Sequence, residues 1–205
     1  MRFIGITGGV GAGKSQVLSI LDEMCNCRIV YADELAASLM LPESDNEESL
    51  LGGSSVLSYI AELKWPTSVV DDEGYLDRSL MAKYMYADPT LRQAVDDIVH
   101  PAVREAVLEM VAEEKHKDEV DYFFLEAALL IEAGYKGVCD ELWYIYADDS
   151  VRRSRLKESR KYSDERITGM FEAQLSDEEF RRYCDVVIDN SGDIGELRAQ
   201  LKAIL

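Results

Sequence analysis

The sequence predicts an α/β fold: five short parallel strands covered on both faces by helices, with a mostly helical insertion after the second strand. Three observations carry this. Short apolar runs recur at residues 3–7, 28–31, 122–125, 141–146 and 185–188, alternating with helical stretches. A glycine-rich turn joins the first run to an amphipathic segment, giving the order strand, turn, helix. The long stretch between the second and third runs, roughly residues 35–117, has helical spacing over most of its length.

Each element has its own reason. Phe3-Ile4-Gly5-Ile6-Thr7 is a short apolar run ending in glycines, as a buried strand feeding a turn would be. Val17, Leu18, Leu21 and Met24 then fall at helical spacing within residues 14–24. Arg28–Tyr31 is the second strand. Within the insertion, Leu91, Val95, Ile98 and Val99 form one helical face, and Val103, Val107 and Met110 form another. Pro101 lies between them, and two helices are predicted because proline breaks a helix interior. Pro42–Gly53 is acidic and rich in Ser, Asp and Gly, and is predicted to be a mobile loop. Tyr122–Leu125, Glu141–Tyr146 and Asp185–Ile188 complete the sheet.

Composition narrows the class. The 205 residues are 47% hydrophobic and 30% charged, the profile of a globular chain with one core and room for an inserted subdomain. A net charge of −18 argues against a nucleic-acid surface, which needs a basic face. No run is long and apolar enough to span a bilayer, and the N-terminus lacks a signal-peptide layout, so a cytoplasmic protein is expected. Cys25, Cys27, Cys139 and Cys184 fit neither a redox pair nor a zinc knuckle, and reduced thiols are expected.

The sharpest motif is Gly8-Gly9-Val10-Gly11-Ala12-Gly13-Lys14-Ser15, a glycine, four residues, then Gly-Lys-Ser. Glycines let the backbone curl with its N–H groups inward, and with the following helix N-terminus they make a nest for phosphate oxygens. Lys14 can reach the outer phosphates, and the Ser15 hydroxyl can face Mg²⁺. A Gly-rich strand-to-helix turn could match by chance, but the strand before and the amphipathic helix after favour the phosphate loop. The motif specifies a nucleoside triphosphate without specifying the reaction. The Asn-Lys-x-Asp segment that GTPases use to read guanine is missing, and Phe124-Leu125-Glu126-Ala127-Ala128 is a weak match to the acidic strand end of motor-type ATPases. Small-molecule kinases need a carboxylate near the acceptor hydroxyl and mobile arginines that close over the phosphates. Asp33 follows the second strand and can serve as that carboxylate, or as a helix N-cap before Glu34-Leu35-Ala36. Nine of the 22 Lys and Arg residues fall between Arg152 and Arg182, with Glu158, Asp164 and Glu165 available as surface partners for several.

At this point the chain resembles the dephospho-CoA kinases over nearly its whole length. The opening through Ser15 is similar, and Tyr31-Ala32-Asp33 resembles an Asp-Ala-Asp segment whose second Asp matches Asp33. Asp72-Glu73-Gly74-Tyr75-Leu76-Asp77-Arg78, Tyr86-Ala87-Asp88-Pro89 and His100-Pro101-Ala102-Val103-Arg104 follow in the family's order. Leu129-Leu130-Ile131-Glu132 resembles its Leu-Leu-x-Glu segment, and Val187-Ile188-Asp189-Asn190-Ser191-Gly192 the stretch near the nucleotide base. Three positions depart: Ala128 stands where the family usually has Pro, Tyr31 where it has Asp, and Ser159 where it has a lid arginine, with Arg160 adjacent.

The resemblance implies a P-loop nucleoside triphosphate hydrolase fold, with core 1–34 and 118–205, a helical CoA-binding insertion 35–117 and a lid 150–183. It implies ATP as co-substrate, Mg²⁺ on Ser15, and phosphorylation of the ribose 3′-hydroxyl of dephospho-CoA. ATP would be held by Gly8, Gly9, Val10, Gly11, Ala12, Gly13, Lys14, Ser15, Gln16 and Asn190. Lys14, Asp33, Arg155 and Arg160 would be catalytic, and Asp33, Asp77, Arg78, His100, Arg104, Leu129 and Glu132 would contact the acceptor. From the residues alone several of these have plainer readings: Asp77 as a cap, Arg78 in a surface ion pair, His100 as a brace at Pro101. A kinase of another small acceptor, such as a nucleoside monophosphate, and a nucleotide-binding regulatory protein remain open alternatives, as does homo-oligomer formation.

Overall fold

A computed structural model describes residues 1–42 and 54–205, which form two compact units: Met1–Tyr31 with Lys117–Leu205, and Ala32–His116. The first unit is built on five parallel strands, β1 (Arg2–Thr7), β2 (Cys27–Tyr31), β3 (Tyr122–Glu126), β4 (Glu141–Tyr146) and β5 (Val186–Asp189), in the order β2-β3-β1-β4-β5. Central β1 pairs with β3 and β4, setting Ile4 opposite Phe124 on one side and Glu141 on the other. Residues 3–7 are all buried, which is why that strand is a continuous apolar run without alternation. One face of the sheet carries Ile4, Ile6, Phe124, Trp143 and Ile145. They pack with Val17, Leu18 and Leu21 of α1 (Lys14–Met24) and Leu197 and Leu201 of α9 (Ile194–Ile204). On the other face Tyr144 stacks on Phe180, with ring centroids 4.5 Å apart.

Small boundary differences have local causes. β5 starts at Val186 rather than at Asp185, but Asp185 still follows the sheet: its N–H donates to the Leu142 carbonyl at 2.8 Å, and its carboxylate accepts from the Leu142 N–H at 2.9 Å. After β4 come α6 (Asp149–Arg160), α7 (Asp164–Glu172) and α8 (Asp177–Tyr183). Ser163 caps α7 and Ser176 opens α8 in a capping box with Glu179.

The second unit holds α2 (Ala32–Leu39), α3 (Ser54–Ala61), α4 (Arg78–Ala87) and α5, which runs unbroken from Pro89 to Lys117. The expected break at Pro101 does not occur. Leu91, Val95, Val99, Val103, Val107 and Val111 form a single row at four-residue intervals through the proline, five of them buried and Val99 half-buried. Pro101 itself is exposed, so the lost N–H bond leaves a carbonyl on the open side while the packed row stays in phase. The loop expected over Pro42–Gly53 lies outside the described residues except for Pro42.

Candidate active site

The loop after β1 is curled by three glycines with positive φ, Gly8 at 151°, Gly11 at 79° and Gly13 at 88°. Gly13 precedes α1 in the left-handed conformation, and a Cβ there would collide with the Asn190 amide nitrogen, so both backbone and space require glycine. Lys14 is the first residue of α1, and Ser15 and Gln16 follow with exposed side chains. The Lys14 ammonium donates to the Gly8 carbonyl at 3.0 Å and lies 3.4 Å from the Glu126 carboxylate, both side chains being mostly buried. Glu126 is the last residue of β3, in register with Ile6 and Tyr31. Its segment reads as a weak motif in the sequence, yet the parallel register brings an acid to the phosphate-loop lysine.

Asn190, just past β5, is 2% exposed, and its side-chain N–H donates to the Ala12 carbonyl at 2.8 Å. Arg155 on α6 donates to the same carbonyl at 3.2 Å and to the Asn190 carbonyl at 2.9 Å. In a trans peptide the C=O and the following N–H point in opposite directions. With the Ala12 carbonyl held from this side, the Gly13 N–H is turned the other way, as a phosphate nest needs.

The cationic cluster divides by partner. Lys157 and Arg153 reach Asp164 at 2.7 and 3.9 Å, Arg181 reaches Asp177 at 2.8 Å, and Arg152 reaches Asp149 at 3.2 Å. Those of Lys157, Arg153 and Arg181 are the surface pairs that the local carboxylates allow, whereas the Arg152 side chain is largely buried, and Glu158 accepts from Ser154 instead. Arg160 and Arg166 are different, with no carboxylate partner among the described residues. Arg166 lies over the Tyr162 ring at 3.8 Å, and a hydrogen bond from Arg160 lowers the Tyr162 phenol pKa. Two exposed guanidiniums around one tyrosine at the α6–α7 turn are an arrangement that charge counting alone does not single out.

Leu129 and Glu132 lie exposed in the turn after β3. The remaining acceptor-side residues are on the second unit. Asp33 is exposed and is the second residue of α2, within its first turn, so it is not the residue preceding the helix. Asp77 caps α4, accepting from the Leu80 N–H at 2.9 Å, and Arg78 donates to the Ala37 carbonyl at 2.9 Å without pairing to Asp77. His100 and Arg104 sit four residues apart on α5 and so share one face.

A hydroxyl at the start of α1 and a carboxylate at the end of β3 are hard oxygen donors of the kind Mg²⁺ takes alongside phosphate oxygens. Among the described residues no cluster of three His, Cys, Asp or Glu could hold a metal by itself. A glycine nest, a lysine at a helix N-terminus and an acid on the neighbouring parallel strand define a P-loop nucleotide site.

Comparison with known proteins takes this class to a family. The dephospho-CoA kinase family model matches residues 2–196. A dephospho-CoA kinase of Symbiobacterium thermophilum is 32% identical, covering 99% of this chain and 80% of its own. One from Geobacter metallireducens is 30% identical over 100% of this chain and 95% of its own. Among solved structures, one from Thermus thermophilus superposes with a TM-score of 0.73 at 28% identity, covering 99% of this chain and 95% of that one. The chain belongs to the dephospho-CoA kinase family.

Proposed function

We propose that this chain transfers the γ-phosphoryl group of ATP to the ribose 3′-hydroxyl of dephospho-CoA, the activity named for its family. The observation that carries the reading is the Gly8–Ser15 nest with Lys14 at the head of α1, in a chain matched by the family model over residues 2–196. On the nucleotide side, the Gly8–Gln16 loop cradles phosphate oxygens, with amides such as those of Gly11 and Gly13 turned toward them, and Asn190 with Arg155 fixes the loop from behind. On binding ATP, Lys14 exchanges its contacts with Gly8 and Glu126 for the outer phosphates. Ser15 and Glu126 would hold Mg²⁺ in concert with the phosphates, where it supplies charge neutralisation. Asp33 accepts or orients the proton of the acceptor hydroxyl. Asp77, Arg78, His100, Arg104, Leu129 and Glu132 are proposed to bind the acceptor, with Asp77 also serving as a cap. Residues 150–183 act as a lid whose arginines complete the charge complement on closure. Among the described residues no helix is long and apolar enough to cross a membrane, and we place the activity in the cytoplasm.

Mass analysis of dephospho-CoA incubated with ATP, Mg²⁺ and the protein tests the reading. One added phosphoryl group is expected, lost with Lys14→Ala. Asp33→Asn should lower kcat by roughly 10²-fold if Asp33 is a general base. No product from dephospho-CoA, with phosphate gained by another hydroxyl compound, would overturn it.

A further inference from the structure

The lid segment does more than carry cations, because two of its residues grip the tip of the phosphate loop. Arg152 on α6 donates from Nε to the Val10 carbonyl at 2.9 Å and from Nη2 to the Gln174 side-chain oxygen at 3.2 Å. That Gln174 oxygen, just beyond α7, also accepts from the Val10 N–H at 3.0 Å. Both polar groups of the Val10 residue are thus held by side chains about 140 and 160 residues away in sequence. The Arg152 guanidinium is fixed on its remaining sides. Nη1 reaches Asp149 at 3.2 Å, one face covers the Phe171 ring at 3.9 Å, and Gly9 packs so close that a Cβ there would run into it. Its side chain is only 13% exposed.

We infer that Arg152 and Gln174 are positioning residues for ATP, acting through the two peptides that flank Val10 rather than touching the nucleotide. The geometry is the counterpart of the brace at Ala12. Holding the Val10 carbonyl sets the Gly11 N–H in the opposite direction, since the peptide is trans. Holding the Val10 N–H fixes the preceding Gly9–Val10 peptide, so Val10 is clamped on both sides and the Val10–Gly11 plane cannot turn by shifting its neighbour. The nest is therefore aligned at two alternate peptides, Val10–Gly11 by Arg152, with Gln174 holding the Gly9–Val10 peptide before it, and Ala12–Gly13 by Asn190 with Arg155. Every nitrogen of the Arg152 guanidinium has a partner, which separates it in role from Arg160. The effect belongs to ATP because the aligned amides serve its phosphates, and this assignment rests on the kinase reading above.

The test is the full-length protein with Gln174→Met, Gln174→Glu, Arg152→Met and Gly9→Ala. Steady-state KM values for ATP and dephospho-CoA are measured alongside calorimetric ADP affinity. Gln174→Met removes the acceptor and should raise KM for ATP and weaken ADP by about tenfold, the scale of one charge-assisted hydrogen bond. KM for dephospho-CoA should stay within about twofold, since a general loss of fold would move both. Gln174→Glu keeps an oxygen for the Val10 N–H and for Arg152, so it should restore near-normal values. Gly9→Ala displaces the guanidinium and should reproduce Arg152→Met, with the double variant no worse than the worse single. Unchanged ADP affinity in folded Gln174→Met and Arg152→Met would overturn the inference, as would equal losses for both substrates. If Arg152→Met does not fold, Gln174→Met against Gln174→Glu decides alone. If dephospho-CoA is not the acceptor, ADP affinity still reports on the grip, so the two readings fail separately.

Discussion

Arg155 and Arg160 lie five residues apart on one helix, yet their surroundings set them to different work. Arg155 spends both terminal nitrogens on the Ala12 and Asn190 carbonyls, so its removal should loosen the loop and be read in ATP affinity. Arg160 is exposed and engages Tyr162 with no acid paired to it among the described residues, leaving its charge available to a developing negative charge. Arg160→Ala should therefore depress kcat by roughly 10²-fold while KM for ATP stays near normal. Arg160→Lys should recover only part, because an ammonium lacks the planar fork. Arg155→Ala should show the reverse split. Steady-state kinetics on the three variants check this, and full activity in Arg160→Ala would leave Arg160 an ordinary solvated residue. The same contrast shows what single residues disclose in sequence. Lys14 and Ser15 announce themselves through the glycines before them, whereas Glu126 acquires its meaning only when β3 lies parallel beside β1.

At the scale of elements, α5 is the clearest case of local propensity overridden by packing. The four-residue row from Leu91 to Val111 crosses Pro101 without a change of phase, and a helix bent away there would uncover half of it. Pro101→Ala should consequently stabilise the protein by roughly 2 kcal/mol, the helix penalty of proline less the unfolded-state entropy it removes. A thermal melt should show Tm higher by a few degrees, whereas an unchanged or lower Tm would mean that the helix is interrupted at this point. The row is visible in the sequence, and what is not visible there is that its burial outweighs the local cost of the proline. Strands were legible for the opposite reason: a central parallel strand buries both faces, so residues 3–7 and 142–146 stand out as nearly continuous apolar runs. The braces on the phosphate loop were not legible, because Arg152, Gln174 and Asn190 meet Val10 and Ala12 across at least 142 residues of chain. Nothing in local spacing marks an arginine that will end on a carbonyl rather than on a phosphate.

For the molecule as a whole, 40 acidic residues against 22 basic ones create a field that opposes both compaction and the approach of anions. The distribution changes the second effect but not the first. Residues 152–182 contain nine cations and seven carboxylates, so the entire acidic excess lies outside the segment proposed as the lid. Exposed pairs such as Lys157–Asp164 and Arg181–Asp177 each contribute at most about 1 kcal/mol and cannot offset an excess of that size. Screening should therefore stabilise the fold, with Tm rising between about 0.02 and 0.3 M NaCl as the Debye length falls below the spacing of surface charges. Association of ATP should respond in the other direction. On the proposed reading an incoming polyphosphate is guided over its last few ångströms by Lys14, the loop amides and Arg160, and added salt should weaken that attraction. Measured together, Tm should climb with NaCl while kcat/KM for ATP declines. A kcat/KM that climbs as well would mean that the acidic surface dominates the encounter, and that the cations of residues 152–182 act only after the nucleotide has bound.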